Sequence, residues 1–181
     1  MNLPSFKYHP DPVGTGSFEA ADITCSCCGE SREFVYAGST YGKAELEGPI
    51  CPWCISSGLA HEKFDVEFID IAAIGDYDPS ASVPAEIRDE IAFRTPGFIG
   101  WQQERWLVHC GDACAFLGLA GKDELLRYES QELLDSLRAD VAMDDTQFRD
   151  YLEDLDKELG PTAYVFQCLH CRLYKGYSDD H

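Results

Sequence analysis

Nine cysteines fall in four close groups: Cys25, Cys27 and Cys28; Cys51 and Cys54; Cys110 and Cys114; Cys168 and Cys171. Two cysteines separated by two residues in a tight turn can aim both sulfurs at one ion, leaving backbone N–H groups to hydrogen-bond the thiolates. Cys25 and Cys28 form such a step. Gly29 follows it and suits the left-handed backbone position that commonly closes a knuckle. Cys51, Pro52, Trp53 and Cys54 form a second step. The 22 residues between Cys28 and Cys51 are enough for a strand, a turn and a returning strand. The spacing therefore predicts a zinc ribbon, with a structural four-thiolate site at Cys25, Cys28, Cys51 and Cys54. Cys27 is spare, because its adjacency to Cys28 cannot make a knuckle.

Redox chemistry is the rival reading of these pairs. A Cys-x-x-Cys at a helix N-terminus can have a lowered thiol pKa and cycle through a disulfide. That arrangement needs a strand entering the motif and a long helix leaving it. Here Glu47, Gly48 and Pro49 precede Cys51, and Ser56, Ser57 and Gly58 follow Cys54.

The remaining pairs predict a second zinc at Cys110, Cys114, Cys168 and Cys171, two per chain in all. Trp106–Cys110 reads as a short strand. A helix starting at Gly111 and Asp112 would place Cys114 one turn after Cys110 on the same face. Ala163–Gln167 enters the last pair as a strand and Leu173–Tyr177 leaves as another, so Cys168–Cys171 sits at a hairpin tip. Two alternatives stay open. Cys110 and Cys114 can be small buried hydrophobes, or His109 or His170 can replace one thiolate.

These sites need a scaffold. Residues 3–24 read as irregular, carrying Pro4, Pro10, Pro12, Gly14 and Gly16. Phe34–Ala37 reads as a strand, and Phe64–Ile71 alternates apolar and acidic residues as a half-buried strand does. Gly75–Val83 reads as a loop and the boundary between a zinc-ribbon-like module over 1–78 and a helical region over 79–181. The two are separate modules or one compact unit. Pro84 starts a short helix with Ile87 and Ile91 on one face, which Thr95, Pro96 and Gly97 stop. Ser130 caps a helix carrying Leu133, Leu134, Leu137 and Val141. After a break at Met143–Thr146, a second helix carries Phe148, Tyr151, Leu152, Leu155 and Leu159. The fold class is α+β.

The chain has 181 residues, is 45% hydrophobic, and carries 33 acidic against 14 basic residues, a net charge of −19. A core can be filled, so wholesale disorder is excluded. No dense basic run appears, which argues against phosphate-neutralising nucleic-acid binding. No apolar stretch approaches the ~18–20 residues of a membrane span. Met1–Pro10 has no apolar signal region, and with the odd cysteine count this points to a reducing cytoplasm rather than a disulfide framework. Residues 121–160 hold thirteen acidic and five basic side chains, an ordinary solvated surface or a docking face for an as yet unidentified protein partner.

One segment is distinctive beyond periodicity: Arg94–Gly118, with Trp101, Gln102, Gln103, Glu104, Arg105, Trp106, His109, Cys110, Asp112 and Cys114. Taken with Pro4–Pro12, Cys51–Ile55, Glu62–Asp65 and Cys168–Cys171, it resembles the CbrC family of uncharacterised bacterial proteins. The resemblance spans about residues 3–175 and is weakest over 72–83 and 121–160. It implies a bacterial cytoplasmic protein, with the four cysteine pairs as family features. One member of that family is associated with tolerance to a colicin. The resemblance supplies no reaction, substrate or catalytic residue.

Within Arg94–Gly118, the 101–114 segment is the one place for a zinc enzyme of hydrolase or deaminase type, with His109 or Asp112 as base or labile ligand beside Cys110. The motif of a nucleobase deaminase and the His-Glu-x-x-His of a metalloprotease are both missing from it. The structural alternative packs Trp101 and Trp106 in the core, pairs Arg105 with Glu104 and spends Gln102 and Gln103 on buried backbone groups. The expectation is a zinc-binding, non-catalytic interaction protein. The alternatives are that enzyme, or a redox or metal-sensing switch using Cys27.

Overall fold

The computed structural model describes residues 2–42, 46–75 and 83–180. It has mixed α+β architecture, with small antiparallel sheets and six α-helices among the described residues. The expected boundary loop Gly75–Val83 falls mostly at 76–82, outside the described residues. Among the described residues, no helix is long and apolar enough to cross a membrane.

The chain first forms a hairpin, β1 (Phe18–Thr24) against β2 (Ser31–Tyr36), with Phe18 opposite Tyr36 and Thr24 opposite Ser31. The expectation that residues 3–24 are irregular is therefore corrected over 18–24. A bulge between Ala20 and Ile23 breaks the two-residue period by which a strand is recognised. Only Phe18 of β1 is buried, so little apolar alternation remains to be read.

Next come β3 (Tyr41–Gly42), α1 (Pro52–Ser56), α2 (Leu59–Phe64) and β4 (Val66–Glu67), which pairs back onto β3. The predicted strand over Phe64–Ile71 is thus only two residues long. Phe64 ends α2, and Asp65 adopts a left-handed φ of 54° as its cap. Asp70 then accepts from the Ala72 N–H and opens a 3-10 turn over Ile71–Ala73. Local side-chain capping has overridden the alternation. Helix α3 (Ala85–Arg94) follows Pro84 as expected and stops before Thr95.

The second half is organised by a three-stranded sheet, β7 (Ala115–Ala120), β8 (Thr162–Gln167) and β9 (Tyr174–Asp179), with β8 central. Strand β8 is buried over its first five residues, and its two faces feed different cores. Tyr164 and Phe166 join Phe98, Trp106, Phe116 and Tyr177 in an aromatic cluster. Ala163 and Val165 face Leu133, Leu137, Phe148 and Leu155 from the helices.

Those helices are α4 (Lys122–Leu125), α5 (Gln131–Val141) and α6 (Asp145–Asp154). Ser130 caps α5 by accepting from the Leu133 N–H at 3.2 Å, as the sequence predicts. Asp144 caps α6 by accepting from Thr146 and Gln147 N–H at 2.9 Å. Helix α6 ends at Asp154, so Leu159 lies beyond it and is 73% exposed. Helix α5 packs on β9 at Gly176, where an added Cβ would sit 2.9 Å from Leu133 Cδ1 and from the Tyr164 carbonyl. The Ser136 hydroxyl exploits this approach, donating to the Gly176 carbonyl at 2.7 Å and accepting its N–H at 3.1 Å.

Candidate metal centres

The first centre is built where β1 turns into β2. The Cys25 N–H donates to the Glu30 carbonyl at 2.9 Å, and the Gly29 N–H donates to the Cys25 carbonyl at 2.8 Å. Gly29 has φ +72°, the left-handed position expected of it. The second pair arrives differently. Cys51 is the N-cap of α1, Pro52 opens the helix, and Cys54 follows within its first turn. The pairs are therefore a hairpin tip and a helix start, where the ribbon reading places both knuckles on a hairpin.

The four sulfurs of Cys25, Cys28, Cys51 and Cys54 lie within 4.8 Å of one another. A zinc bound at ~2.3 Å to four sulfurs sets those sulfurs about 3.8 Å apart at tetrahedral angles. Cys25 and Cys54 are 3.8 Å apart and Cys51 and Cys54 are 3.5 Å apart. Both separations are far beyond the ~2.05 Å of a disulfide, and all these cysteines are free. The donor set fits zinc. Cys25 and Cys51 are fully buried among Phe6, Phe18, Ile50, Ile55 and Phe68, Cys54 is buried, and Cys28 is partly exposed.

Burial would raise the Cys25 thiol, but hydrogen bonds from the backbone N–H groups of Cys28, Cys51 and Cys27 outweigh it and bring it down to about 7. The Cys51 N–H donates to that sulfur at 3.3 Å. Cys51 and Cys54 are pushed up, first by burial and then by neighbouring sulfurs. One thiolate is thus prepared by the backbone, and a metal would complete the ionisation of the others. Cys27 is not one of the four donors, although its thiol hydrogen-bonds with that of Cys54. It is 5% exposed, and burial raises its thiol.

The second centre joins two hairpin tips. Cys168 repeats the backbone pattern of Cys25. Its N–H donates to the Leu173 carbonyl at 2.9 Å, and its carbonyl accepts from the Arg172 N–H at 3.1 Å. Arg172, with φ +64°, occupies the position that Gly29 holds in the first knuckle. The other tip joins β5 (Val108–His109) to β6 (Asp112–Ala113) through Cys110 and Gly111, with φ of +55° and +73°. Two consecutive positive φ values define the tight two-residue hairpin turn.

This turn corrects the helix expected from Gly111. The chain reverses and continues as strand, so Cys114 is carried away from Cys110 at about 3.3 Å per residue instead of returning after a helical turn. Cys114 lies fully buried in the aromatic core, where its carbonyl accepts from Trp106 Nε1 at 3.0 Å. Burial pushes its thiol up to about 12.

The structure brings His109, not Cys114, together with Cys110, Cys168 and Cys171, their donor atoms again within 4.8 Å of one another. His109 Nδ1 lies 3.2 Å from Cys110 Sγ and 3.4 Å from Cys171 Sγ. Tetrahedral zinc with ~2.3 Å sulfur and ~2.0 Å nitrogen bonds requires about 3.5 Å between such atoms, so this set also fits. Cys168 is buried, whereas Cys110 and Cys171 are exposed. Burial opposes ionisation of Cys168, but hydrogen bonding from the Cys171 backbone, His109 and the His170 backbone holds it down at about 6.

His170 points elsewhere, its Nε2 lying 2.9 Å from Asp112 Oδ2. Asp112 also accepts from Tyr8 Oη at 2.7 Å, Lys7 Nζ at 3.2 Å and the Ala113 N–H at 2.8 Å. Burial would raise its carboxyl, but these donors, Tyr8 first, hold it below the usual carboxylate range. The network ties the N-terminal segment to both tips of the second centre. The sequence offers Asp112 as a base or labile zinc ligand and as the start of a helix, and the structure spends its carboxylate on this network instead. The overlooked signal was the Cys110-Gly111 turn, which puts His109 directly opposite Asp112.

Elsewhere in 101–114, Trp101, Gln102, Glu104, Arg105 and Trp106 make packing or polar contacts. Trp106 is fully buried, but Trp101 is 41% exposed, its Nε1 donating to Thr162 Oγ1 at 2.8 Å. Arg105 pairs with Asp140 at 2.6 Å and stacks over Tyr177, while Glu104 accepts from the Tyr41 hydroxyl. The expected Arg105–Glu104 pair is thus replaced. Gln102 Nε2 donates to the exposed Asp180 carbonyl at 2.8 Å.

Comparison with known proteins follows the same span. The description "Uncharacterised protein family (UPF0167)" matches residues 3–180. UPF0167 proteins of Mycobacterium bovis and Mycobacterium tuberculosis are each 42% identical over 183 residues, covering 99% of this chain and 94% of theirs. A UPF0167 protein of Pseudomonas aeruginosa is 43% identical over 170 residues, covering 93% of this chain and 92% of its own. No solved structure matches. All the motifs that carry the resemblance drawn from the sequence lie inside the matched span, and the chain belongs to the uncharacterised protein family UPF0167.

Proposed function

We propose that this protein is a zinc-stabilised scaffold that engages another protein and performs no chemistry at its metal centres. The observation that carries this reading is that each donor set offers four protein atoms. A tetrahedral zinc held by four protein donors has no position for water or substrate, which is the mark of a structural site. Zinc would clamp the β1–β2 hairpin to α1 in one place and the β5–β6 tip to the β8–β9 tip in the other. Nine free cysteines fit a reducing compartment such as the cytoplasm.

The test is in-cell crosslinking of the tagged, zinc-loaded chain, beside X-ray absorption on the purified protein. A reproducible protein partner and four sulfur or nitrogen donors per zinc support the reading. No partner together with a zinc-bound water overturns it.

The exposure of Cys110 and Cys171 favours a second reading, a metal-sensing or redox switch at the second centre. The buried, raised thiol of Cys27 is poorly placed for that role. Mild peroxide that releases one zinc and oxidises Cys110 or Cys171 supports it, and complete zinc retention removes it.

A further inference from the structure

We propose that the groove between α4, α5 and α6 is the docking site for a basic, amphipathic helical segment of a protein partner. The inference rests on the interaction reading above and goes further by naming the surface and the chemistry of what it takes.

The groove has a volume of about 510 Å³. Leu125, Leu126, Leu134 and Leu152 line it, with Glu129, Glu153 and Lys122 as its charged lining residues, Lys122 pairing with Glu153 so that one carboxylate is left in excess. Leu126 is 66% exposed, an apolar side chain left uncovered beside a cavity of the size that takes a ligand group. An apolar floor with a polar rim is the surface into which a helix lays its apolar stripe.

Charge selects the occupant. Residues 121–160 carry thirteen acidic and five basic side chains. Two of the five are already taken, Lys122 by Glu153 and Arg138 by Asp145. Leu152 and Glu153 stand in the last turn of α6, whose negative helix end adds to the attraction for a cation. An acidic or neutral apolar segment would meet repulsion or gain nothing from this rim. A segment with leucines on one face and Lys or Arg on the other satisfies both floor and rim.

The test uses a fluorescein-labelled peptide of about 14 residues with Leu at helical spacing and Lys elsewhere, read by anisotropy against the full zinc-loaded chain. A control peptide has every Leu replaced by Ser. Leu126→Ser removes the exposed apolar contact, and unchanged melting verifies that its fold is intact. The expected result is binding that weakens on the order of tenfold or more in Leu126→Ser, because a leucine contact is lost. The same loss is expected for the control peptide. Equal affinity for both peptides, equal affinity of both chains, or no binding overturns the proposal. Concentration-dependent dimers that Leu126→Ser dissolves would assign the groove to a second copy of this chain and also overturn it. A partner still crosslinked to Leu126→Ser would leave the interaction reading standing and remove only this groove.

Discussion

Acidification should destabilise this protein through one residue far from the cysteines, His9. Its side chain is fully buried, with the ring edge-on to Phe116 at 5.1 Å. Nδ1 lies 2.9 Å from the Pro96 carbonyl, which can only accept, so Nδ1 carries the proton. Nε2 then accepts from the Thr15 hydroxyl at 2.7 Å. Both ring nitrogens are satisfied in the neutral form. Burial therefore lowers the pKa from 6.5 to about 4, against smaller opposing effects from Pro96 and Asp11.

Between these two values the unfolded chain binds a proton that the folded chain does not, so stability falls as pH falls. The 6.5-to-4 difference, at about 1.4 kcal/mol per pH unit, gives a loss of about 2 kcal/mol on going from pH 7.5 to 5 and about 3 kcal/mol below pH 4. Zinc release from thiolates adds its own acid dependence, so the assay compares urea unfolding of wild type and His9→Gln at each pH. Glutamine keeps a donor and an acceptor but does not titrate. The variant's stability should start lower and fall less between pH 7.5 and 5, by about 2 kcal/mol. Parallel pH profiles for the two proteins would refute this account of His9.

Gly176→Ala should cost about 1–3 kcal/mol, since the new methyl meets Leu133 and the Tyr164 carbonyl at 2.9 Å and has to push α5 away from β9. Urea midpoints check this, and an unchanged midpoint would show that α5 yields freely. Asp144→Ala removes the acceptor for two N–H groups at the start of α6 and should lower stability by about 1 kcal/mol in the same assay. A chelator should strip zinc in two phases. The centre with exposed Cys110 and Cys171 empties first, and the buried Cys25 centre follows with loss of β-sheet circular dichroism. A single phase with no spectral change would contradict the expected difference between the centres.

The sequence made the knuckles legible because their chemistry is local: a two-residue gap, a following turn, and in Gly29 a residue suited to positive φ. The helices of the second half were equally readable, since the Ser130 cap and the Leu133–Val141 stripe agree with each other. What escaped was set partly by local backbone features and partly by strand pairing. A bulge hides β1, and the caps at Asp65 and Asp70 cut a predicted strand to Val66 and Glu67. The four-residue spacing of Cys110 and Cys114 looked helical, yet the Cys110-Gly111 pair is also suited to a hairpin turn, and pairing of β5 with β6 decided between them. That one turn moves Cys114 into the core and delivers His109 to the other sulfurs. Arg172 shows the reverse case, a left-handed position that no glycine advertises.

The most direct test of the central claim is zinc per chain by native mass spectrometry, on wild type, Cys114→Ser and His109→Ala purified without chelator. Two zincs in wild type, two in Cys114→Ser and weakened or single occupancy in His109→Ala are the predicted result. One zinc in wild type, or loss of a zinc from Cys114→Ser with full retention in His109→Ala, would contradict the second centre as described.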